Sequence, residues 1–343
     1  MLEKMNNKLS IIGILGLFFL LANSISVPVI KSYDARYWYN PEDITLEDNV
    51  YSVTDYVSLQ WWYIDAVFDN NYSIHIGIIT VGSKGIHGFF LFRITVYKEG
   101  KLLEKKFSFV PVRFVEVSQS DPLIKLFDKE IIRGYIDDED RMALNVSLEV
   151  KGVKADLKLV GLIRGWKGFT GHGMWGCPLP KAHVQGTITV NDETIPVTGR
   201  GYQEHGWDIR HLHRSWYWGK FASNHTNVIF SKNMKNRWKE DTFIVVVSSG
   251  EENYTSIARE NIVFYYTDYE YNHGRFIPTK SVFQVDEDDV HINVEIEVQS
   301  IHFTSLIFMN HWRFHTKITG AISVGNTTEK VDDFQIMEIL HYP

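Results

Sequence analysis

The chain is 343 residues long, 44% hydrophobic and 22% charged, with a formal net charge of −7. This is the composition of a globular protein with a sizeable core, and the length allows two domains or one large β domain. The acidic balance, without a run of basic residues, argues against a nucleic-acid partner. Aromatic residues make up 14% of the chain, which favours β structure and ligand cavities over helical bundles.

The N-terminus has the pattern of an export signal. Two lysines precede an apolar run from Ile11 to Ala22, and small polar residues follow. This order is typical of a secretory signal peptide, and cleavage after Ser24 would remove residues 1–24. The alternative is an uncleaved anchor that associates the protein with a membrane. Both interpretations predict a protein outside the cytoplasm, in the extracellular space, the cell envelope or at the outer face of a membrane.

Cysteine content and glycosylation signals agree with export. Cys177 is the only cysteine, so no intrachain disulfide can form and stability has to come from the core. Five sequons are compatible with a glycosylated exported protein. They begin at Asn71, Asn145, Asn224, Asn253 and Asn326.

Strand-like alternation dominates the chain after a lead-in loop predicted at residues 25–50. Residues 72–78, 90–96 and 144–150 carry apolar side chains at every second position, which is the signature of half-buried strands. Strand patterns return in the second half of the chain. They occupy the segments 243–247, 282–285, 291–298, 314–322 and 334–340.

Two segments add detail to this pattern. Residues 184–197 predict a hairpin closed at Asn191-Asp192-Glu193, and residues 121–132 predict one short helix. Because strands and helices do not alternate, the pattern argues against a parallel α/β fold. The sequence therefore predicts an all-β protein of two antiparallel halves, with domains at residues 51–205 and 206–343. The halves show no obvious sequence repeat.

The densest group of polar and aromatic residues is the segment Gly199–Phe221. Its titratable members include Glu204, His205, Asp208, His211 and His213, and its rings include Tyr202, Trp207, Trp216, Tyr217 and Trp218. Proton-transfer groups among aromatic walls are typical of a pocket for an apolar ligand. The alternative is a sheet corner in which the rings fill a core and the histidines are structural. Spacing alone leaves both interpretations open.

An aromatic triplet marks an early strand. In Trp61-Trp62-Tyr63, alternation puts Trp61 and Tyr63 on one face and Trp62 on the other. One interpretation places these rings in a core on both sides of the sheet. The other has one face lining a cavity, with Gln60 or Asp65 as its polar member.

The segment 172–183 is rich in proline and glycine and predicts a shaped loop that leads to His183 and the next strand. Cys177 with nearby histidines raises the question of zinc, but the spacings match no zinc pattern. The nucleophile elbow, the phosphate-binding glycine loop and the zinc-protease motif are also absent from the sequence. We therefore predict no metal and no cofactor.

Taken in order, these landmarks resemble a known family. They are Trp-Trp-Tyr (61–63), Lys-Ala-His-Val-x-Gly-Thr-Ile (181–188), Gly-x-Gly-Tyr-x-acid-His-x-Trp (199–207) and Trp-x-Trp-Gly (216–219). This order resembles the AttH-type family that includes hydroxyneurosporene synthase (carotenoid 1,2-hydratase). The motifs span about residues 60–221. The resemblance implies two tandem lipocalin-like antiparallel β-barrels, with an apolar ligand region near their junction.

The resemblance also implies roles for individual residues. In the hydratase branch, an acidic residue protonates an isoprenoid double bond and water captures the cation. The matching acid is Glu204, with His205 beside it. The predicted ligand-binding residues are Trp61, Tyr63, Tyr202, Trp207, Trp216, Trp218 and His183.

Three positions depart from the family pattern. The family usually has Asp where Glu204 stands, Glu where Gln60 stands, and Gly where Asp208 follows Trp207. These departures leave the fold prediction intact and weaken the expectation of hydratase activity, because one scaffold can host several functions.

The implied chemistry sets a physical requirement. A carboxylic acid that protonates an alkene has to remain protonated near neutral pH, and burial among aromatic rings raises a carboxyl pKa by desolvation. Ring faces can then stabilise a carbocation by about 2 kcal/mol each.

Three functions follow from these observations. The favoured one is an exported protein that binds an isoprenoid or another apolar lipid between its domains. The second is a hydratase or cation-forming isomerase with Glu204 as general acid, and the third is a structural envelope protein. The oligomeric state is not predicted.

Overall fold

The structure is a computed structural model of the chain. It describes residues 41–54, 58–83, 86–170, 173–209, 215–234, 242–250, 253–306 and 309–341. The predicted export signal, most of the lead-in loop, His211 and His213 lie outside these ranges. No helix within them is long and apolar enough to cross a membrane.

The first barrel is built from one curved antiparallel sheet. Its strands are β1 (Glu42–Asp43), β2 (Ser58–Phe68), β3 (Tyr72–Ser83), β4 (Ile86–Lys98), β5 (Lys101–Pro111), β6 (Val115–Val117), β7 (Leu123–Leu126), β8 (Lys129–Ile136), β9 (Met142–Val150), β10 (Val153–Gly161), β11 (Trp166–Phe169), β12 (Met174–Val190) and β13 (Glu193–Ile209). The main path runs β5-β4-β3-β2-β13-β12-β10-β9-β8-β7-β6. Off this path, β11 pairs with β12, and β1 pairs with β11.

The second barrel repeats this plan with fewer strands. They are β14 (Ser215–Ala222), β15 (Thr226–Met234), β16 (Thr242–Ser249), β17 (Asn253–Ser256), β18 (Ile262–Asn272), β19 (Arg275–Glu287), β20 (Val290–Leu306), β21 (Met309–Val324) and β22 (Thr327–His341). Their order is β17-β16-β15-β14-β22-β21-β20-β19-β18. In both barrels, the first long strand pairs with the last one, β2 with β13 and β14 with β22.

The prediction of an all-β protein with two tandem antiparallel barrels is confirmed. The only helical elements among the described residues are short 3₁₀ turns at Leu46–Asn49, Val112–Phe114 and Arg259–Asn261. The predicted hairpin at 184–197 is also confirmed, because Asn191 and Asp192 both have positive φ and join β12 to β13. The predicted division between residues 205 and 206 falls inside β13, which continues in the first sheet to Ile209.

Two local predictions are wrong. The segment 121–132 forms the hairpin of β7 and β8 instead of a helix, because Phe127 and Asp128 adopt positive φ and turn the chain back. Most of the segment 172–183 belongs to β12 instead of a loop. Register shifts on both sides of Leu179 accommodate the neighbouring prolines, which cannot donate to a regular ladder.

Three apolar clusters organise the molecule. One fills the first barrel and includes Trp62 and Phe92, and a second fills the other barrel and includes Phe230 and Trp312. The third lies between the barrels and consists of residues on their outer faces. Its buried members are Tyr63, Trp166, Trp175, Cys177, Tyr202, Trp218, Ile229, Ile244 and Val246. This third cluster surrounds the candidate site.

Candidate active site between the two barrels

Strands β2 and β14 face each other across the barrel junction, with matched residues in contact. The rings of Trp61 and Trp216 stack at 6.5 Å between centroids, and both are partly exposed. One step along the strands, Tyr63 contacts Trp218 at 5.3 Å. The next step brings the buried Lys220 ammonium within 2.9 Å of a carboxylate oxygen of Asp65. The junction is therefore closed by side chains from equivalent positions of two barrels.

Glu204 on β13 contacts Trp61, one of the two stacked indoles. Its side chain accepts hydrogen bonds from Trp61 Nε1 at 3.0 Å, Trp175 Nε1 at 2.8 Å and the Tyr202 hydroxyl at 2.6 Å. The residue is 8% exposed, and no described cation forms an ion pair with it. Gly206 makes this arrangement possible, because a Cβ there would lie 2.3 Å from the Trp61 ring.

The surroundings of Glu204 favour the protonated acid. Burial raises the pKa of this carboxyl to about 7, and the three donated hydrogen bonds oppose the rise only in part. A carboxylic acid with this pKa can give up a proton near neutral pH and take it back. The raised pKa that the sequence argument required is therefore present at Glu204.

A second carboxyl group, Glu338 on β22, lies on the opposite side of the same junction. Its Oε2 accepts from Arg313 at 3.0 Å and contacts His311 Nε2 at 2.8 Å, and Trp216 Nε1 donates to Oε1 at 3.4 Å. Burial alone would raise the pKa of Glu338, but His311 and Arg313 outweigh it and hold the pKa below its ordinary value. The negative charge of Glu338 also contributes to the raised pKa of Glu204.

The two carboxyl groups occupy equivalent positions. Glu204 pairs with Tyr63 across β13 and β2, and Glu338 pairs with Trp218 across β22 and β14. Trp61, which donates to Glu204, stands two residues before Tyr63. Trp216, which donates to Glu338, stands two residues before Trp218. Gly186 and Gly320, at the same register in the neighbouring strands, share a positive φ of 152° and 150°. The barrels thus share an internal structural repeat.

His205 lies on the other face of β13. Its ring is stacked between Trp62 at 4.6 Å and Trp207 at 4.8 Å, and its Nδ1 lies 2.9 Å from the Asp48 carbonyl oxygen. Burial lowers the pKa of His205 to about 4, so the ring is neutral at physiological pH. Adjacent strand residues point to opposite faces, which explains why the predicted partner of Glu204 faces away from it.

The remaining predicted site residues separate into two groups. Trp61, Tyr63, Tyr202, Trp216 and Trp218 meet around Glu204 at the junction. Trp207 stacks on His205 at the end of the first barrel, and His183 is exposed, with its ring 3.4 Å from the Thr198 hydroxyl. These two residues are not brought to the junction.

Sequence reasoning missed four polar residues of the site. They are Trp175, His311, Arg313 and Glu338. Trp175 lies in the segment predicted as a loop, and without a strand the direction of its side chain could not be predicted. The other three lie in strands of the second barrel, beyond the sequence motifs. Their place in the site follows only from the way the second barrel docks on the first. No group of three His, Cys, Asp or Glu side chains in the described ranges is placed to hold a metal ion.

Open space is distributed unevenly around the site. A groove of about 960 Å³ crosses the outside of the first barrel, lined by residues of β8, β9, β10, β12 and β13, away from Glu204. At the junction, a hollow of about 10 Å³ lies beside Lys220 and Gln335. That hollow has room for about one water molecule. Around Glu204, where the sequence resemblance implied an apolar ligand region, buried side chains of both barrels fill the junction.

Comparison with known proteins supports the architecture. No protein-family model and no curated protein matches the sequence. A protein assigned as AttH from Nitrosomonas europaea superposes with a TM-score of 0.62 at 11% identity, covering 93% of this chain and 100% of that one. Kievitone hydratase from Nectria haematococca superposes with a TM-score of 0.58 at 9% identity, covering 87% of this chain and 93% of that one. CghA with Sch210972 superposes with a TM-score of 0.56 at 9% identity, covering 83% of this chain and 88% of that one.

These similarities and the junction define the class: a tandem lipocalin-like β-barrel protein whose fold is that of AttH-type proteins and of a hydratase. The resemblance inferred from the sequence motifs is confirmed at the level of the fold. Because the identities are this low, the activity has to be argued from the site itself.

Proposed function

We propose that the protein is an enzyme that protonates a carbon–carbon double bond of an apolar small molecule, with Glu204 as general acid. The observation that supports it is the pairing of a buried carboxyl group whose pKa is about 7 with a second carboxyl group held ionised nearby. Carboxyl groups driven to opposite protonation states in one site are typical of acid–base catalysis. Hydration and isomerisation both fit this arrangement.

The chemical step balances without a cofactor. The Glu204 proton forms a C–H bond with the π electrons of the double bond, which leaves a cation on the neighbouring carbon. In hydration, water adds to that carbon and returns a proton to the Glu204 carboxylate. In isomerisation, the carboxylate takes a proton from an adjacent carbon instead. The rings of Trp61, Tyr63 and Trp218 offer faces for the cation, each worth about 2 kcal/mol.

Access to Glu204 requires movement of the indole pair. Trp61 donates to the acid and Trp216 stacks on Trp61, and both are partly exposed members of the aromatic cluster, as is Tyr254. Rotation of these two side chains would open the junction without a change in either barrel. Partial exposure supports this role, because exposed side chains change rotamer faster than buried ones.

Binding of an apolar lipid without turnover is the alternative function. It is favoured by a strip of partly buried apolar side chains that continues outward from the indole pair. The strip contains Trp61, Ile79, Leu91 and Phe109, which lie opposite one another on four neighbouring strands. A carrier would use the same strip and would not depend on the protonation of Glu204.

A substitution at Glu204 separates the two functions. Glu204→Gln is expected to lower turnover of an unsaturated isoprenoid substrate by about 10³-fold, within the range of general acid catalysis, while ligand binding persists. Glu204→Asp keeps an acid and is the matched control, with partial activity expected. Turnover by the Gln variant equal to that of the native protein would rule out the catalytic role and leave the carrier function.

Export is proposed from the N-terminal sequence alone. We propose that the protein acts outside the cytoplasm, after removal of residues 1–24 or while anchored through them. The apolar ligand fits this location, because lipids concentrate at membranes. Mass spectrometry of the mature protein from its native source would identify its first residue and any sugar on the sequons.

A further inference from the structure

Three cationic side chains interact at the junction. Arg93 donates to Thr95, which lies opposite Lys105 in the sheet, and the charge of Arg313 acts on both. Arg313 on β21 is only 2% exposed, whereas Arg93 on β4 and Lys105 on β5 belong to the other barrel and are partly exposed. Burial, followed by the charge of Arg313, lowers the pKa of Arg93 to about 10. Burial, Arg93 and Arg313 likewise lower the pKa of Lys105. These groups therefore repel one another inside a poorly solvated space.

One carboxylate, Glu338, forms an ion pair with this group among the described residues. Burial alone would lower the pKa of Arg313, but Tyr63, Tyr97 and Glu338 raise it, so Arg313 stays charged. Glu338 is the carboxylate that Arg313 contacts, through a single bond from Nη2 at 3.0 Å. The Nε and Nη1 atoms of Arg313 are buried and have no acceptor among the described residues. Arg93 donates from Nε to the Thr95 hydroxyl at 3.4 Å, and the Lys105 ammonium reaches the Thr304 hydroxyl at 3.0 Å. Buried donors of a charged group are costly to leave unpaired.

Neighbouring groups do not supply the missing charge. His75, packed against Tyr63 at 4.7 Å, has a pKa well below its ordinary value because of burial and the charges of Arg313 and Arg93. Its Nδ1 also lacks a partner among the described residues. Asp65, two residues beyond Tyr63 on β2, also acts electrostatically on Arg313, but its ion pair is with Lys220. The cationic group therefore has unused capacity for an anion.

The sheet register fixes the position of this group relative to Glu204. Arg93 pairs with Gly77, Gly77 with Tyr63, and Tyr63 with Glu204, so these residues form one row across four strands. Three inter-strand spacings separate the Cα atoms of Arg93 and Glu204 by about 14 Å. The apolar strip from Trp61 to Phe109 forms a parallel row on the same face, two residues away.

We propose that Arg93, Lys105 and Arg313 bind the anionic head group of an amphipathic ligand, a carboxylate or a phosphate. The apolar part of the ligand then lies along the strip, with its far end at the indole pair. Only the statement that a double bond reaches Glu204 rests on the proposed function; the anion site is independent of it. An oxyanion would supply acceptors to Arg313 and neutralise the mutual repulsion of the three cations.

Binding of simple amphiphiles tests this proposal. We would titrate the full-length protein with dodecanoate and dodecyl phosphate below their micelle concentrations and with dodecanol below its solubility limit. Tryptophan fluorescence and calorimetry would follow binding. At least one anionic probe is expected to bind about tenfold or more tightly than dodecanol. The better of the two anionic probes identifies the head group. Binding of all three with equal affinity, or of none, would overturn the proposal.

Variants at Arg93 locate the binding. Arg93→Gln is expected to lower the affinity for the anionic probe by about tenfold and to leave the affinity for dodecanol unchanged. Arg93→Lys should recover part of the lost affinity. Arg93 is chosen because loss of Arg313 would leave Glu338 buried without its cation. Lys129→Gln, on the exposed start of β8, is the matched control. Unchanged dodecanoate and dodecyl phosphate affinities in Arg93→Gln would contradict the assignment.

The two proposals can fail separately. Glu204→Gln should bind the anionic probe like the native protein, because Glu204 lies at the other end of the row. If this variant retained turnover while Arg93→Gln lost anion binding, the catalytic role would fail and the anion site would stand. The reverse pattern, with turnover lost in Glu204→Gln and anion binding retained in Arg93→Gln, would overturn the anion site alone.

Discussion

The two carboxyl groups at the junction have the same position in their barrels and the same 8% exposure, yet their pKa values are shifted in opposite directions. Glu204 accepts from two indoles and a phenol, all neutral, and its pKa rises to about 7. Glu338 is contacted by an imidazole and a guanidinium, and its pKa falls below the ordinary value. Burial alone therefore does not set the protonation of an internal carboxyl group; the charge of its partners does.

Equivalent strand positions carry different side chains in the two barrels. Trp175 pairs with Gly206, and His311 pairs with Leu340, so both donors stand at the same register from their carboxyl groups. An indole at this position can only donate a neutral hydrogen bond. Burial lowers the pKa of His311 to about 4, so at neutral pH the positive charge beside Glu338 comes from the neighbouring Arg313. Different side chains at equivalent positions of the two barrels thus shift the two carboxyl pKa values in opposite directions.

The same substitution at both positions gives the largest expected difference. Glu338→Gln leaves Arg313 buried without a counter-ion and is expected to lower the free energy of unfolding by about 3–5 kcal/mol. At pH 5, where Glu204 is protonated, Glu204→Gln replaces a neutral acid with a neutral amide, so a loss of about 1–2 kcal/mol is expected there. Urea unfolding followed by tryptophan fluorescence measures both. Equal losses would show that partner charge does not distinguish the two sites.

The pH dependence of stability sharpens the comparison. The pKa of Glu204 is raised in the folded state, so its contribution to stability is complete below pH about 4.5 and is lost as the pH rises through about 7. Each pKa unit is worth about 1.4 kcal/mol, which makes the total about 3 kcal/mol. Native protein should lose this stability across the window, and Glu204→Gln should not. If the free energy of unfolding had the same pH dependence in both proteins, the raised pKa of Glu204 would be contradicted.

The sequence predicted the strands well and the site in part. Apolar alternation at residues such as Ile74 and Ile76 records which face of a strand is buried, and that information is local. Glu204 and the indoles of Trp61 and Trp216 were predicted as site residues because each lies in a sequence motif of the first barrel or of the strand after it. The helix predicted at 121–132 was wrong because spacing alone does not reveal a turn with positive φ.

The rest of the site depends on the register between strands and on how the barrels dock. His205 follows Glu204 in the chain but points into the first barrel, a difference that only the strand geometry determines. Glu338 and Arg313 carry no motif, and their role follows from their placement opposite Glu204. Side chains that meet across two barrels leave no spacing in the sequence from which their contact could be predicted.

The smallest expected effect concerns a single hydrogen bond. Trp61→Phe keeps a ring beneath Trp216 but removes the Nε1 donor to Glu204, which stabilises the ionised form of the acid. The pKa of Glu204 should therefore rise by about one unit, since a hydrogen bond to a charged group contributes about 1.5 kcal/mol. The activity and stability profiles would shift to higher pH by that amount.

Trp216→Phe is the matched control for this shift. It removes the 3.4 Å bond from Trp216 to Glu338, but His311 and Arg313 still hold that carboxylate ionised. The pH profile of the Trp216 variant should therefore coincide with that of the native protein, because neither the donors of Glu204 nor the charge of Glu338 changes. If both variants shifted the profile equally, exposure of the junction to water, and not the hydrogen bond from Trp61, would set the pKa of Glu204.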